Sequence, residues 1–121
     1  MPVSKKFWEG LRAQLESARP VTHRKMFGGI GLYCGGPVFG IVDNDHLFFK
    51  VDSESVAPYD EAGSDMWMYD PAVGPIPKYR EVPRFVLADP DTLGKWIDAA
   101  AAAAIRLDSE KKPKRKVPRA Q

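Results

Sequence analysis

The sequence predicts an α+β fold: a two-layer sandwich in which helices cover one side of an antiparallel sheet of about five or six strands. Three observations predict it. Residues 24–52 run as short apolar stretches separated by glycine pairs and polar turns, with strand periodicity. An amphipathic helical stretch precedes them, and a second, with its own capping residue, closes the folded part. A helix and a sheet each have one apolar side to bury, and layering one on the other buries both.

Ser4 is placed to cap the first helix, in which Phe7, Leu11 and Leu15 recur every four residues with Trp8 beside them. Gly10 weakens that helix by up to about 1 kcal/mol relative to alanine. Arg19-Pro20 ends it, because the residue before a proline disfavours helical dihedrals. In the run Arg24-Lys25-Met26-Phe27-Gly28-Gly29-Ile30-Gly31-Leu32-Tyr33, strand formers flank glycines expected to supply positive φ or a bulge. Gly35-Gly36 reads as a two-residue hairpin turn. Val38, Phe39, Ile41 and Val42 form the next strand, with Gly40 where another backbone comes close. Asp43-Asn44-Asp45 is a turn, and His46 to Asp52 a further strand. There Leu47, Phe49 and Val51 share one face, Phe48 and Lys50 the other.

A short inserted helix is expected from near Ser55 to Ala62, with Pro58 in its first turn and Gly63 stopping it. Met66 to Tyr69 reads as a strand with Trp67 and Tyr69 on one face and Met66 and Met68 on the other. Asp70 to Lys78 holds three prolines and a glycine and reads as a loop, followed by a strand from Tyr79 to Val82 that Pro83 closes. Asp89-Pro90 opens the last helix with an N-cap and a proline at the first helical position. Leu93, Trp96, Ile97, Ala100, Ala104 and Leu107 mark its core face. The run Ala99–Ala104 lets a neighbour approach closely: the protein's own sheet, or a second copy in a weak homodimer.

At 121 residues the chain is one domain, expected over residues 1–108, followed by a charged, proline-punctuated tail (109–121) expected to be disordered. Hydrophobic content of 44% and charged content of 28% are those of an ordinary globular protein. No apolar run approaches the roughly 20 residues of a membrane span, and no apolar leader follows Lys5 and Lys6, so a cytoplasmic protein without a membrane partner is expected. A single cysteine, Cys34, excludes an internal disulfide. Six of the 18 basic residues, but only Glu110 of the 16 acidic ones, lie beyond Asp108. The preceding part is left at about −3, unlike a basic DNA-binding face.

The chemistry-bearing residues do not assemble into a site. Gly-Gly-Ile-Gly lacks the following helix that a phosphate loop requires. Asp43 and Asp45 open no calcium loop, because Leu47 stands at a ligand position and Phe48 where that loop needs glycine. His23, His46 and Cys34 show no metal-ligand spacing, and Cys34 has no helix N-terminus to activate it. No catalytic residue, metal or cofactor is expected. Two surfaces remain. Met66, Trp67, Met68 and Tyr69 form either a ligand or partner face or the cover of the sheet's second side. Lys111, Lys112, Lys114, Arg115, Lys116 and Arg119 form either a solubilising end or an arm for DNA or RNA.

The segment Arg24 to Tyr33, then Gly36, Phe39-Gly40-Ile41-Val42 and Leu47-Phe48-Phe49-Lys50-Val51-Asp52, resembles the N-terminal domain of the TfoX/Sxy family. The likeness continues through Tyr59 to Gly63, Tyr79 to Pro83 and Asp89 to Trp96. It implies the same architecture and a non-enzymatic regulatory or adaptor role with a transcription factor or other protein as partner. Members are regulators of bacterial competence, and longer ones carry a second, C-terminal domain where this sequence has its basic tail. The residues that carry the resemblance are Arg24, Met26, Phe27, Gly28, Gly29, Gly31, Tyr33, Phe39 and Lys50, mainly structural types; Arg24, the charged residue that opens the signature, either lines a ligand or partner surface or pairs with a nearby carboxylate as an edge-strand arginine.

If all six tail cations neutralise phosphates, the full chain is expected to bind a labelled random duplex with a log–log salt slope of about −5, losing about three decades of affinity between about 50 and 200 mM salt. Residues 1–108 alone are expected not to bind. Fluorescence anisotropy of both proteins at the two salt concentrations checks this.

Overall fold

In the computed structural model, which describes residues 3–111, the Ser4 hydroxyl accepts a hydrogen bond from the Phe7 amide at 3.2 Å and opens α1 (Lys5–Ala18). Four strands follow as a meander: β1 (Thr22–Met26), β2 (Gly29–Tyr33), β3 (Val38–Asp43) and β4 (His46–Lys50). Then come α2 (Ala57–Glu61), β5 (Met66–Trp67), β6 (Ile76–Glu81), α3 (Arg84–Leu87) and α4 (Pro90–Lys111). The six strands form one antiparallel sheet in the order β1-β2-β3-β4-β6-β5. This is the α+β architecture the sequence predicts.

Several local expectations shift. Cys34 to Pro37, four residues rather than a two-residue Gly-Gly turn, connect β2 to β3, which pair from Tyr33↔Val38 onward. The register slips between Leu32 and Tyr33, leaving Phe39 as an extra residue opposite them. The resulting bulge puts Phe39 and Val42 into the same helix-side core, which strict alternation forbids. The inserted helix starts at Ala57, two residues later than Ser55. β5 has two residues instead of four, and β6 begins at Ile76, inside the expected loop. Pro77 is tolerated there because β5 pairing jumps from Met66↔Arg80 to Trp67↔Ile76 across it. The four-residue α3, too short for periodicity to reveal, seats fully buried Val86. Ser109 and Glu110 continue α4 rather than leaving it.

All helices lie on one side. Leu11 and Leu15 of α1 and Leu93, Ile97, Ala100 and Ala104 of α4 pack with Leu32, Phe39, Val42, Leu47, Phe49 and Val51 of the sheet and the segment after β4. Phe39 and Phe49 meet edge to face at 5.4 Å. Ala103 is also fully buried, so the small-residue run lies largely on the protein's own sheet. Asp89 caps α4 as expected, accepting from the Thr92 amide at 3.0 Å and its hydroxyl at 2.7 Å, which hold the carboxyl below its usual range.

Two ion pairs tie α4 down. Arg19, at the end of α1, grips Asp98 through two hydrogen bonds of 2.9 and 2.7 Å. A Cβ at Gly94 would collide with that guanidinium, so glycine there leaves room for it to lie across the helix. Arg106 grips Asp52 at 2.6 and 3.0 Å, and Ser55 donates to the same carboxylate at 3.1 Å. Arg106 first, and then Ser55, hold the Asp52 carboxyl down at about 2, against the burial that would raise it.

Because Asp52 titrates lower in the fold than its ordinary value of 3.8, its contribution is present above that value and lost as pH falls through about 2. Asp52→Asn is expected to lower the melting temperature by a few degrees near neutral pH, the deficit closing as pH drops toward 2. Thermal denaturation of both proteins across that range checks it.

Candidate functional site

The side of the sheet that carries no helix is only partly covered. Alternation along β3, β4 and β6 sends Ile41, Phe48 and Tyr79 to this side, where they bury with Trp67 in a second, smaller cluster. Trp67 arrives from the sheet's far edge. Its indole Nε1 donates to Asp43 Oδ2 at 2.9 Å, a buried bond to the end of β3. The chain after β5 therefore turns back across the face. Tyr69 reaches Phe27 in the β1–β2 turn, with ring centroids 5.7 Å apart. A string of rings results: Phe27 to Tyr69, Tyr69 to Trp67 at 5.8 Å, and Trp67 to Tyr79 at 5.3 Å.

The four residues singled out from the strand signal divide. Trp67 is 5% exposed and serves as the cover of the second side. Met66, Met68 and Tyr69 are 39%, 49% and 44% exposed and form its outer surface. Tyr69 does not continue β5, which ends at Trp67.

The signature segment explains itself locally, with one exception. Met26 lies over Gly31, where a Cβ would strike its Sδ, and packs into the second cluster. A Cβ at Gly29 would strike the Val42 carbonyl. These two glycines answer close approach, not the positive φ or bulge expected of them. The positive φ falls on Phe27 (53°) and Gly28 (78°), the two-residue loop between β1 and β2. Phe27 is the exception: a bulky aromatic in the left-handed region that is also 59% exposed. Nothing in the sequence singled it out from its glycine neighbours. The available signal was the spacing, since Met26 and Gly29 must pair across only two residues.

Among the described residues Arg24 pairs with no carboxylate. Its guanidinium lies over the Tyr33 ring at 5.4 Å on the helix-free side. Lys50 lies over Tyr79 at 5.3 Å on the same side, and Phe39 is core. His23 packs edge-on against Trp8 of α1 at 5.0 Å, whereas His46 pairs with Glu81 at 2.7 Å on the opposite side. Cys34 packs against the helix-side core. The sheet thus separates the histidines, and among the described residues no group of three or more His, Cys, Asp or Glu is placed to hold a metal. The cleft beside Trp67 and His46 holds about 230 Å³, below the roughly 300–1,000 Å³ usual for small-molecule sites. Of the tail cations, Lys112, Lys114, Arg115, Lys116 and Arg119 lie outside the described residues, and Lys111 ends α4. Among the described residues no helix is long and apolar enough to cross a membrane.

The family model described as the TfoX N-terminal domain matches residues 13–104. No curated protein matches the chain.

Phe27→Asn, which suits a left-handed backbone, is expected to hold or raise stability, by up to about 1 kcal/mol. Phe39→Ala, by contrast, should cost about 3–5 kcal/mol, as for a buried aromatic. Urea denaturation of the two variants separates a displayed ring from a core one.

Proposed function

Since the chain belongs to the TfoX N-terminal domain family, we propose that it is a non-enzymatic regulatory adaptor of the cytoplasm, acting on transcription by binding another protein through the helix-free face around Phe27, Met68 and Tyr69. The observation that supports this most is Phe27. A bulky side chain at positive φ works against folding, and here it also leaves the ring in solvent. The strain is rational if the ring is there to be contacted.

The neighbours suit the same use. Methionine is flexible and polarisable and fits partners of varied shape, while tyrosine offers a broad apolar ring with a polar tip. Aromatic residues and methionine are enriched at protein interfaces. The cleft at Trp67 is small for a ligand, while a wider one of about 560 Å³ along Lys25 to Ile30 lies open beside Phe27. The buried Trp67–Asp43 bond fixes the segment that carries Met68 and Tyr69, so the surface is pre-formed and little ordering is left for binding. In this reading the basic residues from Lys111 to Arg119 add a sequence-independent attraction to nucleic acid.

In the source organism, loss of the gene is expected to change a set of transcripts that the wild-type chain restores. The double variant Phe27→Ser/Tyr69→Ser, folded by its melting curve, is expected to restore few of them. Transcript sequencing of the deletion and the two complemented strains decides the matter. Full restoration by the variant removes this face from the mechanism, and unchanged transcripts remove regulation.

A further inference from the structure

β1 forms one edge of the sheet, and it is the most exposed strand: Thr22, His23, Arg24 and Lys25 are all solvent-accessible. Its hydrogen-bonding parity follows from the turn. In a two-residue hairpin the residues flanking the loop form a hydrogen-bonded pair, here Met26↔Gly29. Alternation makes Arg24↔Gly31 and Thr22↔Tyr33 the next such pairs. The N–H and C=O groups of His23 and Lys25 therefore point away from β2, along the open edge.

Two cations, Arg24 and Lys25, stand side by side on that edge, with His23 next to them. Neither Arg24 nor Lys25 has a carboxylate within ion-pair distance among the described residues. Arg24 rests on Tyr33 and His23 on Trp8, so two of the three are held in place before any partner arrives. The surrounding residues 1–108 carry about −3 in total, which makes a basic edge a local departure.

We propose that the open edge of β1 docks an extended acidic segment of a partner protein, which joins the sheet as an additional strand. This rests on the partner-binding reading above and names the partner's chemistry. Charge selects the occupant. A second copy pairing edge to edge would set Arg24 and Lys25 against their own kind, and like charges directly opposite are unfavourable. The chain's own segment from Lys111 to Arg119 carries the same sign as the edge. An acidic strand satisfies both demands, main-chain bonds giving affinity and side chains giving specificity. Arg24 and Lys25 project to opposite sides of the sheet, so the incoming strand needs carboxylates at two adjacent positions. The strand leads directly into the Phe27 turn, so one partner can cover both.

The test uses the full chain and a fluorescein-labelled peptide, Thr-Val-Glu-Asp-Val-Thr. Controls are the same peptide with lysine in place of both acids, and the acidic peptide methylated at both central amide nitrogens. Lys25→Pro removes an outward amide together with the Lys25 cation, without removing a β1–β2 bond, so it is expected to keep its melting temperature and bind the acidic peptide about tenfold more weakly. The wild type is expected to bind the acidic peptide and neither control. Equal binding of the methylated peptide would overturn the proposal, since charge alone would then suffice. So would no binding of the acidic peptide, or a dimer in sedimentation that Lys25→Pro abolishes. If Lys25→Pro does not fold, the methylated peptide on the wild type still decides. Failure here with an intact transcript response, or the reverse, separates this inference from the reading it rests on.

Discussion

The fold depends on how closely α4 lies against the sheet. Along its middle the helix presents Ala100, Ala103 and Ala104, each buried and each offering no more than a methyl group. Toward its start, Leu93 and Ile97 fill the wider space shared with α1. The seat is fixed at two heights by charged pairs rather than by more apolar area. Arg19, at the end of α1, clamps Asp98 of α4, and Arg106 of α4 clamps Asp52 in the loop after β4. Each pair joins segments distant in the chain, so together they set the helix's position along its length as well as its depth.

Gathering every helix on one side leaves the other side of the sheet to a single returning segment. That asymmetry accounts for the two cores. The helix side holds the large one, with Phe39 and Phe49 at its centre. The other side holds a cluster of four buried apolar residues, drawn together by Trp67 and its bond to buried Asp43. A cover so narrow cannot hide its own outer surface. Met68 and Tyr69 remain in solvent because the tryptophan before them already occupies the space beneath. The exposed aromatic face is thus a consequence of topology, and Phe27 extends it from the far hairpin.

The segment from Met26 to Gly31 divides on physical grounds into scaffold and display. Gly29 and Gly31 are crowded positions where a side chain would strike the Val42 carbonyl or Met26. Gly28 takes half of a turn that needs two residues at positive φ. Phe27 takes the other half although asparagine or glycine would do so at lower cost. A residue that works against its own turn while facing solvent is better explained by what it meets than by what it supports.

The sequence by itself determined the fold class, both long helices with their caps at Ser4 and Asp89, a strand meander over residues 24–52 that the structure sets at Thr22 to Lys50, and which face of β4 enters the main core. These are local properties: side-chain period, capping chemistry and turn residues act within a few positions. The tertiary structure alone decided the rest. The bulge at Phe39 overrode alternation because a β2 register, not β3's own pattern, set it. The two-residue β5 and the early start of β6 came from pairing between segments nine residues apart, which no propensity reports. Whether Trp67 would be buried and Tyr69 exposed turned on a bond to Asp43, 24 residues away. The same holds for Arg24, whose partner proved to be the Tyr33 ring rather than a carboxylate. Short-range chemistry names the elements; long-range contact chooses which side chains are left facing solvent.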